Sequence, residues 1–591
     1  MKNKIIVSSV LLTASSLLLY SCKQSFLEPK PQGVYSEAQL ANKQGVNGIL
    51  INAYATLDGV EGQQDGGATN WTWGSIAGGD AYKGTERDDR ADQNPIMRYD
   101  ISGANPILGT KWNSTWDGVG QANSVLQILA IATDLTDAEK KQIEGEARFL
   151  RGHHHFEAKK MWNNVPFLDE KVTDFKVPNT DAAGAYVNIW PQIEADFKFA
   201  YDNLDEVKTH KGRANKWAAA SYLAKVYMFQ KKFAEAKALL TTIIASGKNS
   251  AGVKYALTPS YSDNFRVTKE NNEETVFAIQ SSYGDGSNNN GNYDNSLNYP
   301  HGGGSKPGGC CGFFSPSQSL VNSYQTDASG LPLIDNFNAT DVKSDETVAS
   351  TQAFTTHTGN LDPRLDWSVG RRGVPYYDWG MHPGRDWIRK VEYGGPYSPK
   401  KNTYYVADRG TTAGTVGWGY ASNALNFSII RYADVLLWAA EAEIETGGLE
   451  VARGYINLVR ERGAKFAPAA TATGGNFYVA ANDPSVTYAK YNASTYTMPF
   501  ANADAARKAV RFERKLELAM EGHRFFDLVR WGIADVELNA YLAKDGAKRT
   551  ESLGGGATFK KGKTEYYPIP DNAITQSIKD GKPTLKQNPN Y

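Results

Sequence analysis

Two stretches of this chain carry small residues at the offsets that let paired helices lie close together. AAASYLAKVYMFQKKFAEAKALL, from Ala218, puts Ala220, Leu223, Ala224 and Tyr227 on one helix and Ala236 and Leu240 on the next. RYADVLLWAAEAEIETGGLEVARGYINLVRERG repeats the offsets with Ala440, then Ala452, Ile456 and Val459, and Gly447-Gly448 supplies the turn. This is a degenerate tetratricopeptide pattern in which the signature Trp and Gly are both Ala. Each such pair leaves an apolar face that only a neighbouring pair can cover, so the helices are expected to stack as solenoid-like units. Residues 38–57 and 123–131 also read as helix. Another helix opens at Thr136, with Glu139 completing a capping box. It carries Ile143, Ala147, Leu150, Ala158 and Met161 on one stripe and stops at Asn163-Asn164 and Pro166.

Between about residues 250 and 425 this periodicity is lost, and Pro, Gly, Asn and Tyr accumulate. The region holds Tyr393, Tyr397, Tyr404, Tyr405, Trp418 and Tyr420 among other rings. Disordered segments are poor in aromatics, so ordered loops packed on a helical scaffold are expected. The fold class is therefore mostly α: tetratricopeptide-like helix pairs with a large, loop-rich, irregular second half.

The N-terminus, MKNKIIVSSVLLTASSLLLYSC, has a basic start at Lys2 and Lys4 and an apolar run too short for a comfortable span, the layout of a signal peptide over residues 1–21. Leu19-Tyr20-Ser21-Cys22 has the form of a bacterial lipobox, with Cys22 the lipid-modified first residue of the mature chain. Residues 22–36, rich in Pro, would be the linker from a membrane-held lipid. No later apolar run is long enough to cross a bilayer. Export places the chain in an oxidising compartment, and with Cys22 committed, Cys310 and Cys311 in GGCCGFF have only each other. A vicinal disulfide there would be a rigid platform that closes almost no chain; two reduced thiols are the alternative. Lys+Arg and Asp+Glu both number 64, so no basic face argues for a nucleic-acid partner.

The chain also carries SC-x3-FLE-x-x-P at Cys22–Pro29, EARFLRGHHHFEAKKMWNNVPFL, NLDPRLDWSV at Asn360–Val369, FERKLELAMEGHRFFDLVRWG at Phe512–Gly532, YYPIPDNAI and a terminal QNPNY. In these it resembles the SusD/RagB family of surface lipoproteins, over essentially its whole length. The resemblance implies a SusD-like helical part at 37–250 and a loop-rich and C-terminal helical part at 251–591, packed as one unit. It also implies an outer-membrane, cell-surface location, capture of an oligosaccharide or polysaccharide without catalysis or cofactor, and transfer to a SusC-like TonB-dependent transporter.

A sugar presents apolar C–H faces and a rim of hydroxyls, so its site needs exposed rings beside side chains with fixed hydrogen-bond geometry. NWTWGSIAGGDAYKG offers Trp71, Trp73, Asp80, Tyr82 and Lys83; RRGVPYYDWGMHPGRDWIRK offers Arg371, Arg372, Tyr376, Tyr377, Asp378, Trp379, Arg385 and Trp387. The expectation is at least one exposed tryptophan from each region on a common face, with Cys310 and Cys311 beside them. The arginines could serve an acidic glycan. Glu513, Arg514, Glu517, Glu521, Arg524, Asp527 and Arg530 read as an ion-paired scaffold along neighbouring helical faces. His153, His154 and His155 point about 100° apart and cannot converge on one ion, so they read as structural. Asp285-Gly286-Ser287-Asn288-Asn289 begins like a calcium loop but has Ser296 at the twelfth position, leaving calcium weakly supported. Capture of a peptide in a groove between helices is the runner-up reading. A glycoside hydrolase stands third, because no segment presents a recognisable carboxylate pair.

Overall fold

The structure, a computed structural model, describes residues 36–59, 64–286, 291–302, 307, 310–415, 422–473 and 476–591. The signal peptide, Cys22, Trp418 and Tyr420 lie outside the described residues, as does the calcium-like loop from Ser287 to Asn289. Helix α1 (Lys43–Ala55) packs on α2 (Pro106–Ile131) and α3 (Asp137–Trp162). From α2 onward each helix packs on the next, through α4 (Trp190–Asn203), α5 (Lys216–Phe229) and α6 (Phe233–Ser246). The chain then leaves the helical stack, and when it returns α7 (Tyr432–Glu445) packs on α6. Helix α8 (Leu449–Ala464) pairs with α7, and α9 (Ala503–Glu517) packs on both. Short α10 (Arg524–Trp531) and α11 (Ala534–Gly546) follow. Ala220, Ala224, Ala236 and Leu240 in one pair, and Ala440, Ala452, Ile456 and Val459 in the other, are fully buried. Small side chains sit where the helices meet, as the repeat pattern predicts.

Helix α3 departs from a simple amphipathic reading. Its N-terminus is capped as expected: Glu139 N donates to Thr136 Oγ1 and Thr136 N to the Glu139 carboxylate. The apolar stripe is buried, but so is every residue from Phe149 to Trp162. The polar side chains within that stretch survive burial by pairing. Arg151 forks onto Asp196 at 2.7–2.8 Å, and Lys160 meets Glu157 at 2.6 Å. His153 Nδ1 lies 2.7 Å from Tyr222 Oη and His154 Nε2 lies 3.1 Å from Thr56 Oγ1, while His155 Nε2 accepts from Leu168 N. Burial lowers all three imidazoles, His154 and His155 to about 3, so they stand neutral inside the protein.

The loop-rich region is stitched to the helical stack at its base. Strand β2 (Thr275–Ile279) runs antiparallel to β4 (Phe427–Arg431), with Thr275 opposite Arg431 and Ile279 opposite Phe427. Residues 280–426 therefore leave and return at one place, and β4 feeds directly into α7. The other strands form small two-stranded pairs. One joins β1 (Ala81–Gly84) to β3 (Phe313–Pro316), setting Tyr82 opposite Ser315.

The charged motif of α9 lies at the centre of this junction. Glu517 is fully buried and meets Arg364 at 3.0 Å, Arg431 at 3.0 Å, and Arg462. Glu513 bridges Arg364 and Arg460 at 2.6 and 2.8 Å, and Glu521 bridges Arg431 and Lys401 at 2.8 and 2.6 Å. Glu274 on the lead into β2 holds Arg431 and Arg462, and Asp362 holds Arg364. Five cations thus face five carboxylates, and the partners come from distant segments rather than from neighbouring turns of the same helix. Arg530 with Asp527, three residues apart, is the local kind of pair the sequence suggests. Burial raises the Glu517 carboxyl, but Arg462, Arg431 and Arg364 more than reverse this and bring it to about 2. Glu521 and Glu274 are lowered by the same balance of burial and arginine.

Removing one partner of a buried network leaves an uncompensated charge, so Glu517→Ala should cost about 3–5 kcal/mol of stability in urea unfolding. A change under about 1 kcal/mol would show that the arginines re-pair freely. Because these carboxyls titrate lower in the folded chain than in the unfolded one, their contribution is complete above pH 4.5. It should be lost progressively as pH falls toward 2, read as a decline in melting temperature over that window.

Candidate ligand-binding face

The two aromatic regions do converge, but not through their tryptophans. Trp71 and Trp73 lie on a single wide helical turn, Trp71–Ile76, and are 2% and 1% exposed. Trp71 Nε1 donates to Gln64 O and Trp73 Nε1 to Asp65 O, each at 2.8 Å. Their rings pack edge-on against Phe314 and Tyr567. The cause of this burial is a backbone approach. A Cβ on Gly74 would stand 1.8 Å from Gly522 O, and one on Gly522, at φ +78°, would stand 2.1 Å from Thr69 O. The tryptophan turn is thus docked against the corner between α9 and α10, with Gly522 N donating to Ser75 Oγ at 2.9 Å. Asp80 accepts from Met520 N at that corner, and burial lifts its carboxyl to about 6. Tyr82 donates to Asp545 at 2.6 Å. All four side chains belong to the core, which corrects the expectation that the first region supplies exposed rings.

The second region is also mostly interior. Tyr376, Tyr377 and Trp387 are buried together with Tyr405, Trp367 and Tyr261. Tyr377 stacks on Tyr405 at 4.3 Å, and its hydroxyl donates to Lys400 O. Trp387 meets Tyr376 edge-on at 5.3 Å. Arg371 is buried in a bidentate pair with Asp366, Arg372 holds carbonyls of residues 348–352, and Arg385 donates to Glu346 O and pairs with Glu392. Asp378 accepts from Val406 N and Ala407 N. These groups fix loops, because in a region without regular structure the side chains must satisfy the backbone. Trp379 differs: it is half-buried, packed against the aromatic cluster with Nε1 donating to Tyr404 O at 2.9 Å, and part of its side chain remains exposed.

A polar face forms where the loop leaving β1, the turn before β3 and residues 385–390 meet. Thr85 N donates to Gly312 O at 2.5 Å, and His301 N donates to Trp387 O at 2.8 Å. Arg389 spans the junction, donating to Thr85 Oγ1 at 3.0 Å and Asp89 at 2.6 Å and pairing with Glu86, while a third of its side chain stays exposed. Beneath, the buried Lys83 ammonium holds the carbonyls of Glu86, Arg87 and Asp89 at 2.6–3.1 Å. Cys310 and Cys311 are paired at the edge of this face, Cys311 buried and Cys310 partly exposed. Tyr299 links the cystine turn to Trp379: its carbonyl accepts from Gly312 N at 3.1 Å, and its ring meets Tyr404, which meets Trp379. Sequence reasoning missed Arg389, Glu86, Asp89 and His301. The run of alternating charge in GTERDD directly after a short strand was the available signal. Among the described residues no three His, Cys, Asp or Glu side chains converge as a metal site.

Comparison with known proteins places this architecture. Residues 273–591 match the SusD family, and residues 25–228 match the family described as starch-binding, associating with the outer membrane. The chain belongs to the SusD family. A SusD-like protein of Bacteroides ovatus is 23% identical over 98% of this chain and 94% of its own length. A SusD superfamily structure from Bacteroides vulgatus superposes with TM-score 0.65 at 21% identity, covering 93% of this chain and 99% of that one. Surface glycan-binding protein A from Bacteroides thetaiotaomicron, solved in complex with laminarihexaose, superposes with TM-score 0.59 at 18% identity, covering 93% and 99%. These structures share the helical fold with the present SusD-family chain.

Trp73→Ala should lower unfolding stability by about 3–5 kcal/mol, the usual cost of emptying a buried tryptophan site. Trp379→Ala should cost about 1–2 kcal/mol. Equal losses in urea titrations of the two variants would contradict the assignment of one ring to the core and the other to the surface.

Proposed function

We propose that this SusD-family protein is a non-catalytic, cell-surface glycan-binding lipoprotein. In this reading, lipid on Cys22 tethers it to the outer membrane, and it passes captured oligosaccharide to a TonB-dependent transporter. The observation that carries the binding half is the face built around Arg389. Charged donors and acceptors there are held by one another and by Lys83, beside a cystine whose turn connects through Tyr299 and Tyr404 to the half-buried Trp379 ring. A saccharide's hydroxyls suit fixed, charge-assisted partners, and its C–H faces suit flat apolar platforms. Laminarihexaose in the structural relative supports the same ligand class. The absence of a catalytic step is supported by the carboxylates of Glu513, Glu517 and Glu521, which are occupied by arginine and lysine in the interior. Of the residues expected to touch ligand, Trp379, Arg385, Cys310 and, to a lesser extent, Arg372 retain exposed surface.

Retention on a panel of immobilised neutral and acidic polysaccharides, with product analysis on the same samples, tests both halves. The expected outcome is retention of at least one glycan, no shortened product, and a loss of about tenfold or more in affinity for Arg389→Ala with an unchanged melting temperature. Release of reducing ends would refute binding without catalysis, and undiminished retention by Arg389→Ala would refute this face.

A further inference from the structure

A second cleft, sharing no residue with the Arg389 face, opens between α9, α10, α11 and the loop at residues 334–339. It has a volume of about 480 Å³, within the range of small-ligand sites. Its walls combine apolar surface from Phe337, Leu538 and Tyr541 with Asn336, Asn338, three cations, and the carboxylates of Asp335 and Glu537, of which Asp335 is held by Lys508. Two of those cations are matched: Arg524 meets Glu537 at 3.1 Å, and Lys544 meets Asp341 at 3.0 Å. Lys515 is not. It sits half-buried on α9, one helical turn from the five-and-five network, and among the described residues it has no carboxylate within 4 Å and no hydrogen bond. Its nearest recorded partners are rings, with Phe337 at 4.0 Å and Phe512 at 5.7 Å from the ammonium. Burial, then repulsion from Arg524, hold this ammonium down at about 8 against the more distant pull of Glu537, Asp80 and Asp545. An unmatched ammonium costs free energy in such a place unless something anionic meets it.

We propose that this cleft binds a sugar carrying a carboxylate, a uronic acid residue, with the carboxylate on Lys515 and the sugar face against Phe337. Arg524 flanks the anion, and Asn336 and Asn338 at the rim offer donors and acceptors to hydroxyls. The anion half rests on the unmatched Lys515; the sugar half rests on the glycan reading above. The site is chemically distinct from the Arg389 face, where Arg389 is paired with Glu86 and Asp89 and Lys83 is occupied by main-chain carbonyls.

The test is titration of the full folded chain with sodium glucuronate, sodium acetate, galactose 6-sulfate and glucose, followed by NMR of reductively 13C-methylated lysines. Glucuronate should bind and shift one lysine signal, which is absent in Lys515→Met. That variant keeps the apolar stem over Phe337 and should melt like the parent. Affinity should fall about tenfold or more in Lys515→Met and be largely kept in Lys515→Arg. Equal binding of glucuronate by Lys515→Met, no binding at all, acetate as tight as glucuronate, or tighter binding of the sulfate ester would each overturn the proposal. Arg389→Ala separates this from the loop-face reading. Loss of polysaccharide retention with glucuronate binding intact keeps both sites. Glucuronate binding by a chain that retains no polysaccharide would fail the loop face alone.

Discussion

Glu517 is the point at which the two halves of this protein are tied. One buried carboxylate receives arginines from the segment after residue 360, from the end of β4 and from α8. A hydrophobic cluster of the same volume could give comparable stability, since desolvation consumes most of what a buried ion pair returns. Greasy side chains, however, would accept many relative placements. Fork-shaped guanidinium groups around one acceptor accept few. The network therefore acts on register: it sets where long irregular loops sit against regular helices, at a position where neither sheet nor helix packing could do so.

That role follows from what the loops lack. Residues 280–426 contain only fragments of regular structure, so their carbonyls and amides must be met by side chains. Arg372, Lys400, Asp378 and Tyr377 are spent in this way, each on main-chain groups. A loop region this aromatic is better described as a second core than as a binding surface. At its margin, around Arg389, Cys310 and Trp379, and in the loop at 334–339, described side chains retain surface.

The fold was legible in the sequence because its determinants are local and repeated. Ala220, Ala236, Ala440 and Ala452 announce helix pairs whatever else the chain does, and Thr136 with Glu139 marks a helix start. The family motifs at 360–369 and 512–532 added the overall architecture. The candidate face was less legible. Trp71 and Trp73 looked like ligand platforms because rings between glycines often are, yet those glycines serve a contact between Gly74 and Gly522, some 450 residues apart. No local pattern reveals that approach. The same limit explains the ionic motif: the spacing of Glu513, Glu517 and Glu521 suggests partners along one helix, whereas the real partners lie on other segments. Arg389 stands between Ile388 and Lys390, and its acidic partners Asp89 and Glu86 lie about 300 residues away along the chain, so no local pattern marks it.

The antiparallel ribbon of β2 and β4 has a further consequence. By clasping the outgoing and incoming chain, it makes everything between residues 280 and 426 an appendage whose ends are already together. Lengthening such an appendage adds only about 0.6 kcal/mol for each doubling of its span. The span can therefore change in length at little entropic cost, so long as Asp362, Arg364 and Lys401 keep their places in the Glu517 network.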